Sequence, residues 1–573
     1  MRKIGVFICH CGLNIAGTVD VEQVAEQIGA YPGVVLATTY KYTCSDPGQQ
    51  LIRDAIRQHG LDGVVVAACS PAMHELTFRR TAASAGLNPY LVECANIREQ
   101  CSWVHAKSPK LATHKALLTI QSMVEKVKRN EALDPLSLPL TKRALVIGGG
   151  IAGITAALDI ADAGYNVVLV ERSEHLGGHM AELSGSYLNF EAGPDVLARR
   201  VQRVMEHPTI QVMCGAQVTQ LDGYVGNFRA SVEKTDREED SVTFDVGAVV
   251  VATGYERYPL SRLPEYGGGQ VPDVIDALAF ERMLAAGADL RRPSDGRVPR
   301  EVVWVQCAGS RDPAPLRNGA HGVPYCSKVC CMTVAKQAAS FKERVPGGQA
   351  YVFYIDIRSA GLHYDEYVQR AMQDYRVVYL RGKVSKIFGN GDKVVVWGSD
   401  TLSNRAVEIP ADLVVLATPM AAPQAARELA QRLHISIDAN GFYSEAHPKL
   451  RPVESLTAGI FLAGAAQGPK DIPETVGQAS AAAAKVLQLF SHDEMKAEPT
   501  VAQVIPELCS ACGICVPACP YGAREIDTLR RLAVVNAALC QTCGACAAAC
   551  PNKATIVRNW TPEQILFMAD ALV

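Results

Sequence analysis

Nineteen cysteines stand in 573 residues, and most of them stand in groups. The tightest are CSACGICVPACP, with Cys509, Cys512, Cys515 and Cys519, and CQTCGACAAACP, with Cys540, Cys543, Cys546 and Cys550. Each is a C-x2-C-x2-C-x3-C run closed by a proline, Pro520 or Pro551. Three thiolates at that spacing wrap one iron–sulfur cubane, and the fourth crosses to the other. The expected ligand sets are therefore Cys509, Cys512, Cys515 and Cys550 for one [4Fe–4S] cluster, and Cys540, Cys543, Cys546 and Cys519 for the second. Two zinc knuckles are the competing assignment. Zinc sites rarely show four cysteines in one compact run with a trailing proline, twice over. Two clusters this close make a path for single electrons.

The double run is the pattern of a bacterial two-cluster ferredoxin, expected here over residues 497–573. A second concentration is YCSKVCC, where Cys326, Cys330 and Cys331 fall within six positions, with Cys307 upstream. A third is spread near the start: Cys9, Cys11, Cys44, Cys69, Cys94 and Cys101. Cys214 stands alone and reads as a small buried hydrophobe, and Cys94 as the same. Thiols grouped this way in a large chain point to metal or redox chemistry in a reducing cytoplasm rather than to a disulfide framework. The opening MRKIGVFICHCG has two basic residues and a short apolar run, but Cys-His-Cys-Gly follows at once. A first β-strand fits better than a signal peptide. A net charge of −3 gives no global basic field, which argues against nucleic acid or an anionic membrane surface as partner. No run of about 18 uncharged apolar residues suggests a transmembrane helix.

The elements that would position such sites begin with RALVIGGGIAGITAALDIADAGYNVVLVE, a strand, a Gly-rich turn, a helix and a second strand. Gly148, Gly150 and Gly153 form G-x-G-x-x-G, and Glu171 ends the second strand about 20 residues on, the dinucleotide fingerprint in its proper context. Its glycines let backbone approach a pyrophosphate at a helix N-terminus, and Glu171 can take the adenosine ribose hydroxyls. HLGGHM then supplies Gly177 and Gly178. This resembles the second Gly pair of the two-dinucleotide-binding flavoproteins, whose compact form is the thioredoxin-reductase branch. VGAVVVATGYE resembles that family's strand ending in Ala-Thr-Gly, ADLVVLATPM its second copy, and GIFLAGAAQGPKDIPETVGQAS the strand and helix that close over the flavin. The resemblance implies FAD, held by Gly148, Gly150, Ile151, Ala152, Gly153, Glu171, Arg172, Gly177, Gly178, His179, Ala252, Thr253, Gly254, Gly464, Ala465, Thr475 and Gln478. The family usually has Gly-Asp where this chain has Gly464-Ala465, so the ribityl contact must come from elsewhere. The helix after Pro473 can aim its N-terminal amides at the flavin pyrimidine.

Such flavoproteins carry a second Rossmann-like domain for NADPH inside the first. Its first strand should be REVVWVQCAGSRD, but Cys307 stands where the second phosphate loop should start, and YCSKVCC follows. Cys307, Cys326, Cys330 and Cys331 therefore read as one [4Fe–4S] site near the flavin, replacing the nucleotide site. A flavin-linked disulfide is the competing reading and leaves two thiols unexplained. In the first 134 residues, KIGVFIC, GVVLATTY, DGVVVAAC and YLVEC are apolar strands alternating with helical stretches. Carboxyl ends of parallel strands share one edge, so Cys9, Cys11, Cys44, Cys69 and Cys101 are expected to converge on a further cluster. Buried structural cysteines are the alternative.

With KIGVFICHCG, YKYTCSDPGQ, ACSPAMHE, NPYLVECANIREQCSWVH, CAGSRD, YCSKVCCM and GPKDIPETVGQAS taken together, nearly the whole chain resembles the A-type component of heterodisulfide reductase. The resemblance implies FAD, about four [4Fe–4S] clusters, and a place at the centre of complexes that split electron pairs. It also implies Lys336 near the flavin's reactive edge, in a catalytic role. Two departures stand out. The ferredoxin inserted in the flavin region of many archaeal members is absent, since LDGYVGNFRASVEKTDREEDSVTFDVGAVVVATGYE holds no cysteine. The family's Cys pair after the second Gly pair is also missing, with MAELSGSYLNFEAG in its place.

The expected architecture is α/β, a thioredoxin-reductase-like two-dinucleotide-binding flavoprotein core between an N-terminal α/β domain and a C-terminal two-cluster ferredoxin domain. The expected boundaries are 1–134, the flavin domain as 135–260 and 406–492, the inserted domain as 261–405, and 497–573. The expected partners are B- and C-type subunits, a small iron–sulfur adaptor, a hydrogenase or dehydrogenase module, and a second copy through the flavoprotein core. Three functions compete: a flavoprotein that divides electron pairs between clusters, a scaffold whose flavin is only a relay, and an NAD(P)H-dependent disulfide reductase.

Overall fold

The structure is a computed structural model and describes residues 2–187, 193–235, 237–287, 289–312 and 322–572. Part of the MAELSGSYLNFEAG stretch, 188–192, lies outside the described residues, as does 313–321 between Cys307 and Cys326. The chain folds as two units, one of Met1–Leu138 with Lys496–Val573, the other Pro139–Met495. No helix among the described residues is long and apolar enough to cross a membrane.

In the first unit, four parallel strands lie in the order Val34–Tyr40, Ile4–Cys9, Gly63–Ala68, Val92–Asn96. Ile4–Cys9 and Gly63–Ala68 are buried along their whole length, which is why they read as unbroken apolar runs. Helices cross between them, and two start on side-chain caps: Asp20 accepts from the Gln23 amide, and Ser45 from that of Gly48. Cys9 pairs with Tyr40 and Ala68 with Asn96 in register, so the segments carrying Cys11, Cys44 and Cys69 leave from one edge. In the C-terminal part, two antiparallel pairs, Ala502–Val504 with Thr555–Val557 and Arg524–Asp527 with Leu532–Val535, frame the cysteine runs.

The terminal helix Pro562–Asp570 packs on the long helix Pro109–Arg129 of the same unit. The Lys126 ammonium lies 4.2 Å from the Trp560 ring centre, and the Arg129 guanidinium 3.2 Å from that of Phe567. Lys126, 1% exposed, pairs with Glu93, and Asn130 donates to Glu93 Oε1 (2.8 Å) while accepting from Gln564 Nε2 (2.8 Å).

The second unit uses one plan twice. A parallel sheet runs Ile460–Leu462, Ala248–Val251, Arg143–Ile147, Asn166–Val170, Ile210–Met213, with an antiparallel meander over Ala216–Tyr224, Asn227–Lys234 and Arg237–Val246. A second parallel sheet runs Val274–Asp276, Leu413–Leu416, Glu301–Val305, Gln349–Tyr354, Val378–Arg381, with its own meander over Val384–Asn390, Lys393–Asp400 and Arg405–Ala411. This corrects one boundary. Residues 406–416, expected in the flavin domain, belong to the inserted one, because Leu413–Leu416 pairs in parallel with Glu301–Val305 and Val274–Asp276.

Candidate cofactor and cluster sites

The turn between Arg143–Ile147 and the helix Ile151–Asp162 is built as a phosphate cradle. Gly148 takes a left-handed φ of 108°, and a β-carbon there would meet Ala252 O at 2.4 Å. A β-carbon on Gly153 would stand 1.8 Å from Gly148 O, so this glycine lets helix and turn touch. Gly150 meets nothing within 4 Å and leaves the approach open. Glu171 accepts from the Gly149 amide (2.6 Å) and the Ser173 amide (2.8 Å), fixing its carboxylate beside the turn.

A cavity of about 1150 Å³ opens from this turn. Of the expected flavin contacts, Gly148, Gly150, Ile151, Ala152, Glu171, Arg172, Gly177, Gly178, His179, Ala252, Thr253, Gly254, Ala465 and Thr475 line it. Gly153, Gly464 and Gln478 do not. Gly464 packs so closely that a β-carbon would come within 2.8 Å of the Ala152 β-carbon, and Gln478 donates to Gln467 Oε1 (3.4 Å). The helix Ile472–Phe490 begins at the cavity with Asp471 and Glu474 forming a capping box. Volume, open cradle and a helix N-terminus fit FAD.

Lys336 and Cys330 line the same cavity. Lys336, 4% exposed, donates to Glu281 Oε2 (2.6 Å), Gly185 O (2.8 Å) and Ser184 Oγ (3.2 Å). Glu281 also accepts from Gln337 Nε2 (2.9 Å) and the Ser184 amide (3.0 Å), so the buried pair is fully hydrogen-bonded. Sequence reading missed Glu281. Its signal is a lone acid amid the apolar stretch ALAFERMLA.

The four middle thiols converge. Cys331, Cys307 and Cys326 are the thiol neighbours of Cys330, which opens the helix Cys330–Arg344. Cys307 holds a left-handed φ of 58° in the turn after Glu301–Val305, where a glycine would sit in a phosphate loop. Burial pushes the Cys307 and Cys330 thiols up and the Cys331 thiol up to about 11. Bound iron supplies the positive charge that makes such thiols thiolates. Two buried polar groups beside them, Gln306 Nε2 and Ser310 Oγ, have no hydrogen-bond partner among the described residues. Four soft ligands and unspent donors fit a cluster.

In the N-terminal domain the structure brings together four of the five expected cysteines. Cys44 has Cys9, Cys11 and Arg98 as charged neighbours, and Cys69 has Arg98, Cys11, Glu99 and Cys44. Burial pushes Cys69 up to about 11. The amides of Cys11 (3.3 Å) and Thr43 (3.5 Å) donate to Cys9 Sγ, Arg98 donates to Cys11 Sγ (3.4 Å), and the buried Thr43 hydroxyl lacks a partner among the described residues. Cys101 is not among them. The single π-turn Arg98–Ser102 rotates it into the core beside Ala112 and Ala116, and its sulfur contacts Asn96 O and Thr119 Oγ1. Cys94 is also buried, in the same core cluster as Cys9, its thiol raised by burial and by Glu75, Glu93 and Cys69.

In the C-terminal part, Cys509, Cys512, Cys515 and Cys550 line one small cavity. Cys540, Cys519 and Cys543 are the thiol neighbours of Cys546. These are the two crossed sets that the spacing predicts. Among the described residues no three His, Cys, Asp or Glu side chains stand close enough to hold a single metal ion. Cys214 has only Glu171 and Glu174 as charged neighbours.

A model of pyridine nucleotide-disulphide oxidoreductases matches residues 142–286, and a 4Fe-4S dicluster domain model matches 508–555. Thioredoxin reductase of Lactococcus lactis, 19% identical, aligns over 61% of this chain and 99% of its own with a TM-score of 0.42. Fold and sites together define an oxidoreductase that carries FAD and [4Fe–4S] clusters and transfers electrons. The A 2 iron–sulfur component of CoB–CoM heterodisulfide reductase from Methanopyrus kandleri is 40% identical over 91% of this chain and 91% of its own. The A 1 counterpart from the same organism is 38% identical over 100% and 98%. The A component of H2:CoB–CoM heterodisulfide,ferredoxin reductase from Methanothermobacter marburgensis is 37% identical over 92% and 91%. The chain belongs to this family, the A-type components of heterodisulfide reductase.

Proposed function

We propose that this chain divides electron pairs between one-electron carriers at the centre of a heterodisulfide-reductase-like complex. Cys330 carries the reading. It lines the flavin cavity and at the same time stands among Cys307, Cys326 and Cys331. FAD when bound exchanges electrons in pairs or singly, and a [4Fe–4S] cluster exchanges one at a time. The residues around the cavity bind and orient. The turn Gly148–Gly150 receives the pyrophosphate, and Glu171 holds the ribose end. Lys336, anchored by Glu281, keeps a cation on the cavity wall, where it favours negative charge and holds a proton at Nζ. Cys307, Cys326, Cys330 and Cys331 hold a cluster, as do Cys9, Cys11, Cys44 and Cys69, giving about four with the ferredoxin pair. B- and C-type subunits, an iron–sulfur adaptor and a hydrogenase or dehydrogenase module complete the complex, with the flavoprotein core self-associating, in an anaerobic cytoplasm.

Replacing Cys330 with Ala should remove about four irons and one EPR signal while the ferredoxin signals persist. Unchanged iron and signals would make the redox-disulfide reading the better one. Division of pairs is tested in the native complex. Reduction of a low-potential ferredoxin should require simultaneous reduction of the high-potential acceptor, in fixed ratio. Full-rate reduction of either alone makes the flavin a relay. An NADPH-linked disulfide reductase is disfavoured by Cys307 in place of the second phosphate loop, and NADPH alone should leave the flavin oxidised.

A further inference from the structure

The ferredoxin domain is a twofold repeat, and its backbone treats the two clusters alike. Ala533 and Ala502 amides donate to Cys509 and Cys540 sulfurs, both at 3.4 Å. Ala523 and Ala554 amides donate to Cys519 (3.3 Å) and Cys550 (3.2 Å). Left-handed residues recur in pairs, Ala511 with Thr542, Gly513 with Gly544, and Gly522 with Lys553. Backbone donors to cluster sulfurs are one of the main settings of reduction potential, and these four cancel between the halves. Cys550 receives further hydrogen bonds from Asn552 and Thr555.

The cancellation fails one step beyond each final cysteine turn. Cys519-Pro-Tyr-Gly-Ala leads to Arg524, and Cys550-Pro-Asn-Lys-Ala leads to Thr555. The two side chains meet, Arg524 Nη2 donating to Thr555 Oγ1 (2.9 Å). Thr555 lies with the Cys509, Cys512, Cys515 and Cys550 set, whose cavity it lines. By the repeat, Arg524 lies with the other set, and it is the foremost charged neighbour of Cys546. Arg524 is 4% exposed, and its Nε and Nη1 have no hydrogen-bond partner among the described residues. A buried guanidinium with two unspent donors demands an acceptor. The thiolates and sulfides of the adjacent cluster are acceptors of the right charge.

We propose that Arg524 donates to the cluster held by Cys519, Cys540, Cys543 and Cys546 and raises its reduction potential above that of its partner cluster. Each added electron makes a cluster more negative, so a fixed cation and N–H donors favour the reduced form. Arginine keeps its charge at any working pH, so the bias is permanent. The domain then holds one better electron acceptor and one better donor, a built-in direction between the two clusters.

The test is an EPR-monitored redox titration of the full chain, following the two signals that show mutual spin coupling when both are reduced. In the wild type they should appear at separate potentials. Arg524→Gln should move the higher one down toward the lower and leave the lower nearly in place, while Arg524→Lys should keep most of the separation. An unchanged separation in Arg524→Gln with full iron, or movement of the lower step instead, overturns the proposal. Should Arg524→Gln lose its cluster, wild type labelled with 15N only in the arginine guanidinium decides. A 15N coupling belongs on the signal that appears first on reduction; its absence there, or its presence only on the later one, overturns the assignment.

Discussion

Gly150 leaves open space where a β-carbon would stand, while Gly148 and Gly153 are hemmed in by backbone. Gly150→Val should therefore fold and yet fill the approach to the pyrophosphate. The expected outcome is a purified chain lacking flavin absorbance but keeping its ferredoxin EPR signals; retention of full FAD would contradict the cradle. The N-terminal thiols separate the same way. Cys69→Ser should lower iron by about four per chain, because Cys69 stands with Cys44 and Cys11. Cys101→Ser should leave iron unchanged, and an iron loss there would restore it as a ligand. The sequence placed all five thiols near strand ends, and the fold brings four of them together. It could not tell which way Cys101 faces, since a single π-turn decides that and leaves no pattern of its own. Glu281 escaped notice for a related reason: its partner Lys336 lies 55 positions away.

Helix packing in the first unit depends on a buried pair. Burial draws the Lys126 ammonium below its usual range, while Glu93 opposes the shift. Lys126→Met leaves the Glu93 carboxylate, 8% exposed, without its cation, a change that costs about 3–5 kcal/mol when a buried pair is broken. Hydrogen exchange in the helix Pro562–Asp570 should accelerate in that variant and recover largely when Glu93→Gln is added. Equal exchange in all three proteins would mean the pair does not hold the helix. Such long-range pairing is invisible to local pattern. So was the sheet of Leu413–Leu416, since an apolar strand ending in Ala-Thr fits either copy of a repeated plan until its neighbours are known. The strands and turns around Gly148 and the ferredoxin runs were legible because spacing itself carries the chemistry.

For the whole chain the expected load is about one FAD and about sixteen irons, from four cubane sites of four irons each. Iron and flavin analysis of anaerobically purified protein checks this. A value near eight irons per FAD would leave only the ferredoxin pair and remove both other sites.

The first unit draws on both ends of the chain, Met1–Leu138 and Lys496–Val573. During synthesis its opening sheet therefore leaves the ribosome long before the helix Pro562–Asp570 that packs on it. At 5–20 residues per second the wait is about 20–85 s, during which Cys9, Cys11, Cys44 and Cys69 stand in an unfinished fold. A chain stalled before that helix therefore leaves the opening sheet without one of its packing partners. Ribosomal pausing late in the message becomes, for this protein, a determinant of how many molecules complete their first unit.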